Sequence, residues 1–252
     1  MLKIENIHKT FNQGTINEKI ALDGLSLHLQ KGCFACVIGS NGAGKSSLMN
    51  AVSGVWKVDS GKILIDNIDV TNLPCHKRAS FIGRVFQDPM VGTASNMLIE
   101  ENLSIAKRRG HIRTLNWYIT KKERDEYSSL LKNLDLSLDT RLRTKVRLLS
   151  GGQRQALTLL MATLSMPKLL LLDEHTAALD PKTAIKIMEI TTRIINDNHL
   201  TTLMITHNMK QSLDYGDRLL MVNDGKITLD ISGEEKKNLT MDTILSKFYV
   251  NA

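Results

Sequence analysis

The sequence predicts an α/β fold, with a mainly parallel sheet flanked by helices, an antiparallel β-subdomain and an inserted helical subdomain. Apolar runs of strand length at 34–38, 169–172 and 201–205 each end in polar residues, as buried strands of a parallel sheet do. Residues 1–38 alternate between polar and apolar, which favours antiparallel strands. Residues 90–165 show helical spacing and few β-branched side chains, which indicates a helical insertion.

We expect a single domain over residues 1–252. Within it, 1–88 and 166–252 would form the core with its β-subdomain, and 89–165 the helical subdomain. A chain of 252 residues can bury a substantial core. Its composition is ordinary for a globular protein, at 42% hydrophobic and 23% charged residues with a mean hydropathy of −0.13. No run of 18 apolar residues suggests a membrane span, and the first residues lack the apolar core of a signal peptide.

The net charge of +7 fits three kinds of protein. It could serve a nucleic-acid partner or an anionic membrane surface, or simply belong to a basic soluble protein, since the charges are spread out. Three cysteines are too few for a disulfide framework, which suits a reducing cytosol. Cys33 and Cys36 form a C-x-x-C pair, but residues three apart on a strand face opposite ways and no second pair completes a zinc site. Cys75 and His76 are expected to be loop residues.

The antiparallel strands of residues 1–38 should be separated by a loop at 12–19. Phe11 stands just before this loop. Its flat ring could stack on a purine base, an interaction of about 1–3 kcal/mol. The alternative is a phenylalanine of the core, since aromatic side chains are commonly buried.

Residues 39–46 fit G-x-x-x-x-G-K-[ST], the phosphate-binding loop of nucleotide hydrolases. The strand at 34–38 before it and the helical stretch at 47–53 after it are the context that this motif requires. Lys45 should reach the β- and γ-phosphates, and the Ser46 hydroxyl should hold Mg²⁺. Three glycines let the backbone curl so that its N–H groups point at phosphate oxygens: Gly39, Gly42 and Gly44.

Strands are expected next at 62–66 and 81–86. The second ends at Gln87, whose carboxamide could hold Mg²⁺ or position a water, or could simply lie on the surface. The helical insertion should contain three helices: 96–106, 121–134 and 153–165.

The insertion also contains a basic segment at 107–113, followed by Trp117 and Tyr118. It is either a solvated basic face or a docking surface near lipid head groups or a protein partner.

Ser150 and Gln153 fit the S/T-x-x-E/Q capping box and mark a helix start. Gly151 and Gly152, in the first turn, cost the helix about 1 kcal/mol each relative to alanine. Bare N–H groups at a helix start bind anions. The segment is therefore either a cap alone or a second phosphate-binding helix end.

The leucine-rich strand ends at Asp173 and Glu174. Downstream of a phosphate-binding loop, Asp173 suits the carboxylate on the Mg²⁺ side, and Glu174 can polarise the attacking water as general base. The alternative is a strand that ends in an acidic turn. Asp180, followed by Pro181, predicts the N-cap of a helix that runs to about residue 196.

The strand at 201–206 ends at His207. A lone histidine is more often structural, but ligands collect at the carboxyl ends of parallel strands. A hairpin is expected over 218–230, through the turn at 223–225, and the tail from 234 to 248 should be helical.

Taken together, these motifs resemble the ATP-binding cassette family in number, order and spacing, over nearly the whole chain. The resemblance implies a P-loop NTPase core, ATP and Mg²⁺ as cofactors, and a head-to-tail dimer enclosing two ATP molecules. The implied catalytic residues are Glu174, His207, Gln87 and Lys45. The implied ATP-binding residues are Phe11, Gly39, Ser40, Asn41, Gly42, Ala43, Gly44, Lys45, Ser46, Ser47, Gln87 and His207. The implied Mg²⁺ ligands are Ser46, Gln87 and Asp173. The implied contacts to the ATP of the other subunit are Ser150, Gly151, Gly152, Gln153 and Asp180.

A finer resemblance, carried by residues 83–90, 172–181 and 232–239, is to bacterial importer ATPases assigned to tryptophan and tyrosine transport. It implies import of a small solute, with an aromatic amino acid as a candidate. It also implies membrane permease subunits, an extracytoplasmic solute-binding protein, a second copy of this chain, and a place on the cytoplasmic side of the cell membrane. One position departs from the family, because His175 stands where many members have proline.

Two other functions stay open. An ATPase that exports or extracts a lipid or lipoprotein would share these motifs and the loop at 12–19; the neighbouring permease would discriminate. A soluble cassette acting on DNA or ribosomes predicts two cassettes in one chain or a long coiled-coil insertion. The sequence shows one cassette and no such insertion, so no nucleic-acid partner is expected.

Overall fold

The computed structural model describes residues 1–110 and 119–250, with side chains up to residue 246. Its strands are β1 (Leu2–Phe11), β2 (Lys19–Leu29), β3 (Phe34–Ile38), β4 (Ser60–Ile65), β5 (Ile68–Asp69), β6 (Ile82–Val85), β7 (Leu169–Asp173), β8 (Thr201–Ile205), β9 (Arg218–Asn223) and β10 (Lys226–Ser232). Its helices are α1 (Lys45–Ser53), α2 (Cys75–Arg78), α3 (Ile99–Lys107), α4 (Lys121–Lys132), α5 (Gly151–Thr163), α6 (Pro181–Asp197), α7 (Met209–Asp214), α8 (Gly233–Lys237) and α9 (Met241–Val250). A 3₁₀ turn spans Val146–Leu148.

The strands form two sheets. The first has the order β2-β1-β4-β5 and is antiparallel throughout, as residues 1–38 predicted. The second has the order β10-β9-β3-β8-β7-β6 and is parallel from β9 to β6, with β10 antiparallel at its edge. The predicted α/β fold class is confirmed.

The parallel register brings three strand ends to one edge of the six-stranded sheet. Val37 of β3 pairs with Ile205 of β8, and Asp173 of β7 also pairs with Ile205. The phosphate-binding loop, the Asp173–Glu174 pair and His207 therefore leave the sheet side by side.

Successive strand residues point to opposite faces, so each face of this sheet carries its own hydrophobic core. The core on the helix side includes Cys36, Ile38, Leu157, Leu170 and Leu172. The core on the side of the antiparallel sheet includes Ile4, Val37, Leu48, Leu169 and Leu171. Cys33 packs against the second core and Cys36 lies in the first, which confirms that this C-x-x-C pair does not converge on one site.

The expectation that Cys75 and His76 are loop residues is wrong, because they begin the short helix α2. This helix presents Arg78, which is 2% exposed. The Arg78 guanidinium donates to four backbone carbonyls, those of Ala51, Val52, Thr71 and Leu73. Two of these belong to the last turn of α1, where carbonyls lack helical partners. A four-residue helix held by one side chain leaves no periodic pattern in the sequence.

Helices α3, α4 and α5 lie where the helical insertion was predicted. The basic segment is described only as far as residue 110, so Trp117, Tyr118 and residues 111–113 lie outside the described residues. Within residues 1–110 and 119–250, no helix has the length and apolar character needed to cross a membrane.

Candidate functional site

A cleft opens where the three strand ends meet. It is lined by parts of β1, β2, the phosphate-binding loop and the ends of β7 and β8. The lining residues are Phe11, Lys19, Ala21, Asn41, Gly42, Gly44, Lys45, Ser46, Ser47, Glu174 and His207. A neighbouring cleft on the outer side of the loop includes Ser40 and Ala43.

Lys45 is held inside the phosphate-binding loop. Its ammonium donates to the backbone carbonyls of Gly39, at 2.9 Å, and Ser40, at 2.8 Å. Burial lowers the pKa of Lys45, and the nearby Glu174 carboxylate partly opposes this shift. Gly44 has a φ of 108°, and a Cβ there would lie 2.6 Å from the Ala21 carbonyl oxygen. The loop thus needs glycine at this position to keep its cradle shape.

Glu174 and His207 are in direct contact. Oε1 of Glu174 lies 2.6 Å from Nε2 of His207, and the glutamate side chain is 13% exposed against 45% for the histidine. Glu174 has a φ of 47°, a left-handed conformation that is unusual for a residue other than glycine. Its N–H is held by the Ile205 carbonyl at 3.1 Å. A carboxylate oriented by a histidine at the mouth of a phosphate-binding cleft can act as a general base.

Gln211 of α7 ties together the two loops that carry this pair. The Thr206 hydroxyl donates to Oε1 of Gln211 at 3.0 Å, and Nε2 of Gln211 donates to the Thr176 hydroxyl at 3.2 Å. The sequence reasoning missed Gln211, because nothing in its local pattern shows that its amide spans two strand ends.

His175, which replaces the family's proline, points away from the cleft. It is 2% exposed, and its Nε2 lies 3.1 Å from the Thr191 hydroxyl of α6. Because that hydroxyl donates its only proton to the Ile187 carbonyl, Nε2 of His175 must be the donor. Burial lowers the pKa of His175 to about 4, from an ordinary value of 6.5. The ring therefore anchors the loop after Glu174 in its neutral form.

We expect His175 to make the fold acid-sensitive. Its pKa is lower when folded, so the unfolded chain binds the extra proton and stability falls as the pH drops from 6.5 toward 4. Between pH 7.5 and pH 5 the loss should be about 2 kcal/mol. His175→Gln keeps an N–H donor and does not titrate. Urea unfolding of both proteins at the two pH values checks this, and equal losses of unfolding free energy would contradict it.

Asp173 lies beside the cleft and does not line it. Its Oδ2 accepts a hydrogen bond from Nη2 of Arg84 at 2.8 Å, and the carboxylate is 17% exposed. Gln87 is exposed and also outside the lining. The three residues predicted to hold Mg²⁺ offer only oxygen donors (a hydroxyl, a carboxamide and a carboxylate), which is the set that Mg²⁺ prefers. In that respect the residues present fit the ion.

Phe11 is half-buried at the mouth of the cleft and belongs to neither core, so the alternative of a core phenylalanine is wrong. The edge of its ring meets Trp56, with ring centroids 4.7 Å apart and planes at 77°. Asp59 fixes the backbone just before it by accepting a hydrogen bond from the Thr10 N–H at 2.6 Å. Trp56 and Asp59 were not singled out from the sequence, since they lie about 45 residues further along the chain.

Lys19 is a second cation at the cleft that the sequence reasoning missed. It lines both clefts beside the phosphate-binding loop, and a Cβ built on Gly42 would lie 3.3 Å from its Nζ. Its position at the start of β2 carries no motif.

Ser150 begins α5 with the predicted capping box. Its Oγ accepts from the Gln153 N–H at 3.3 Å, and Oε1 of Gln153 accepts from the Ser150 N–H at 3.2 Å. Neither Ser150–Gln153 nor Asp180 lines the cleft of this single chain. Gly152 has a steric role as well, since a Cβ there would overlap the Thr183 methyl group of α6.

The family model described as "ABC transporter" matches residues 22–177. The chain is 46% identical to the tyrosine transport ATP-binding protein of Clostridioides difficile, with 98% of each chain covered. It is 33% identical to the xylose/arabinose import ATP-binding protein of Sulfolobus acidocaldarius, covering 98% of this chain and 94% of that one.

Among solved structures, the chain matches a dimeric ATP-binding cassette in a post-hydrolysis state with ADP and Pi bound. The TM-score is 0.79 at 27% identity, over 92% of this chain and 98% of the other. Both the sequence family and the fold thus agree with the phosphate-binding cleft described above. This chain belongs to the ABC transporter family and is an ATP-hydrolysing protein of that family.

Proposed function

We propose that this chain powers the import of a small solute, of the aromatic amino acid class, through a separate membrane permease. The observation that carries this proposal is the 46% identity to a tyrosine transport ATP-binding protein over 98% of both chains. Other relatives are also import ATPases, for a sugar and for methionine, which supports import more broadly than it supports any one solute.

In this proposal the cleft residues act on the triphosphate of ATP. Lys45 and the N–H groups of residues 39–47 bind the phosphates, and Phe11 stacks on the adenine. Glu174 takes the proton of the attacking water, while His207 orients Glu174 and contacts the γ-phosphate. Ser46, Gln87 and Asp173 would hold Mg²⁺, which supplies positive charge to the developing phosphate oxyanions.

Two subunits would enclose two ATP molecules head to tail. Ser150–Gln153 and Asp180 lie outside the cleft of their own chain, which leaves them available to the ATP of a second subunit. A related cassette has been solved as a dimer with ADP and Pi bound. ATP would favour the closed dimer because it contacts both subunits only there.

The proposed partners are permease subunits, a second copy of this chain, and an extracytoplasmic solute-binding protein that reaches it through the permease. The helical subdomain, residues 89–165, would dock on the permease at the inner face of the membrane, while 1–88 and 166–252 form the ATPase core. Closure of the dimer would then move the permease between its two facing states.

Transport by the assembled system tests this proposal. The chain should be reconstituted with its permease in proteoliposomes, with the binding protein on the opposite side. We expect ATP-dependent accumulation of labelled tyrosine, competed by tryptophan or phenylalanine and not by methionine or xylose. A Glu174→Gln subunit in the same liposomes is the control for uptake without hydrolysis.

Movement of tyrosine in the outward direction, or ATPase stimulation by a lipid or lipoprotein instead of a loaded binding protein, would contradict the proposal. Either result would favour an exporter or an extraction system.

A further inference from the structure

Arg84 joins three parts of the site that the motifs treat separately. Its Nη2 donates to Oδ2 of Asp173 at 2.8 Å. Its Nη1 donates to Oδ1 of Asn50 at 2.8 Å and to the Ser53 hydroxyl at 3.0 Å, both on the helix that follows the phosphate-binding loop. Its guanidinium carbon lies 4.7 Å from the ring centroid of Phe86, the residue before Gln87.

This is a partly desolvated ion pair rather than a surface one. The Arg84 side chain is 13% exposed and that of Asp173 17%. Nε of Arg84 is buried and has no hydrogen-bond partner in the part of the chain that the structure describes. Leaving a guanidinium nitrogen unsatisfied is unfavourable, so the fold accepts this arrangement in order to keep Arg84 against Asp173.

We propose that Arg84 is a positioning residue for the Mg²⁺ site. It holds one oxygen of the Asp173 carboxylate and leaves the other for the ion, so the carboxylate cannot rotate freely. Groups that hold a metal ligand in place commonly change metal affinity by about 10- to 100-fold when removed. This inference rests on the proposed role of Asp173 as a Mg²⁺ ligand.

The contact with Phe86 extends the same role toward Gln87. The Phe86 carbonyl also accepts a hydrogen bond from Nε2 of Gln155 at 3.4 Å. The end of β6 is therefore fixed from two sides just before the second proposed ligand.

The test is the Mg²⁺ dependence of ATP binding, measured by calorimetry over a Mg²⁺ series and again in EDTA. Arg84→Met removes the fork and the charge. We expect its half-saturating Mg²⁺ concentration to rise by about 10-fold or more, while ATP affinity in EDTA stays within about 2-fold of the original protein. Arg84→Lys keeps the charge without the planar fork and should lie between the two.

Arg218→Met is the matched control, because Arg218 makes a comparable fork with Asp230 across β9 and β10, at 2.7 and 2.6 Å. It should leave the Mg²⁺ dependence unchanged. Melting temperatures of all variants show whether they fold, and Arg84→Lys carries the test if Arg84→Met does not.

An unchanged Mg²⁺ dependence in folded Arg84 variants would overturn the positioning role. A lower Mg²⁺ requirement would overturn it too, since Arg84 would then compete with the ion for Asp173. Asp173→Asn separates this failure from that of the proposed site: if Asp173→Asn leaves the Mg²⁺ dependence intact, it is the assignment of Asp173 as a ligand that is wrong.

Discussion

Glu174→Gln should bind ATP normally and hydrolyse it about 10²- to 10⁴-fold more slowly, because the amide cannot accept the proton of the attacking water. The change preserves the size of the side chain, which contacts Nε2 of His207 at 2.6 Å. ATP should then persist between two subunits and trap a dimer. Phosphate release, ATP affinity and size-exclusion chromatography with ATP measure the three effects.

Glu189→Gln offers a control for the loss of a carboxylate, since Glu189 is exposed on α6. It should turn over at the original rate. Normal turnover in Glu174→Gln would remove Glu174 from the role of general base.

Ser150→Arg should reduce hydrolysis by about 10²-fold or more while leaving ATP binding to the single subunit intact. The reason is geometric: Ser150 is exposed, starts α5 and does not line the cleft of its own chain. A long cation there would block the second subunit from completing the site, and the lost contacts are of the kind that stabilises transition-state charge. Steady-state hydrolysis and ATP binding at low protein concentration measure the two properties.

Thr120→Arg is a matched control, because Thr120 caps α4 with the same capping box. It loses a comparable helix cap and should keep its ATPase activity. If Ser150→Arg abolishes ATP binding to isolated subunits, the assignment of Ser150 to the ATP of the other subunit is wrong.

Much of the site could be predicted because its chemistry is local in the sequence. The phosphate-binding loop, the Asp173–Glu174 pair and His207 each stand at the end of an apolar run. Once those runs are taken as parallel strands, their ends must share an edge of the sheet. The observed register confirms this, with Asp173 and Val37 both paired to Ile205.

The supporting residues could not be predicted, because their roles depend on distant parts of the chain. Arg84 lies 89 positions from Asp173, and Gln211 lies 35 from Thr176. An arginine in a strand and a glutamine in a short helix are each compatible with a surface position. Only the packing of the sheet against its helices brings them to their partners.

The close approach at Gly152 has a consequence for how a second subunit meets this one. Because there is no room for a methyl group between the start of α5 and Thr183, and Thr183 is itself bonded to Asp180 at 3.0 Å, these two helix starts sit at a fixed offset. The serine that heads one helix and the aspartate that heads the other therefore form a single stiff facet. A neighbouring molecule that engages either helix start must accommodate both at once.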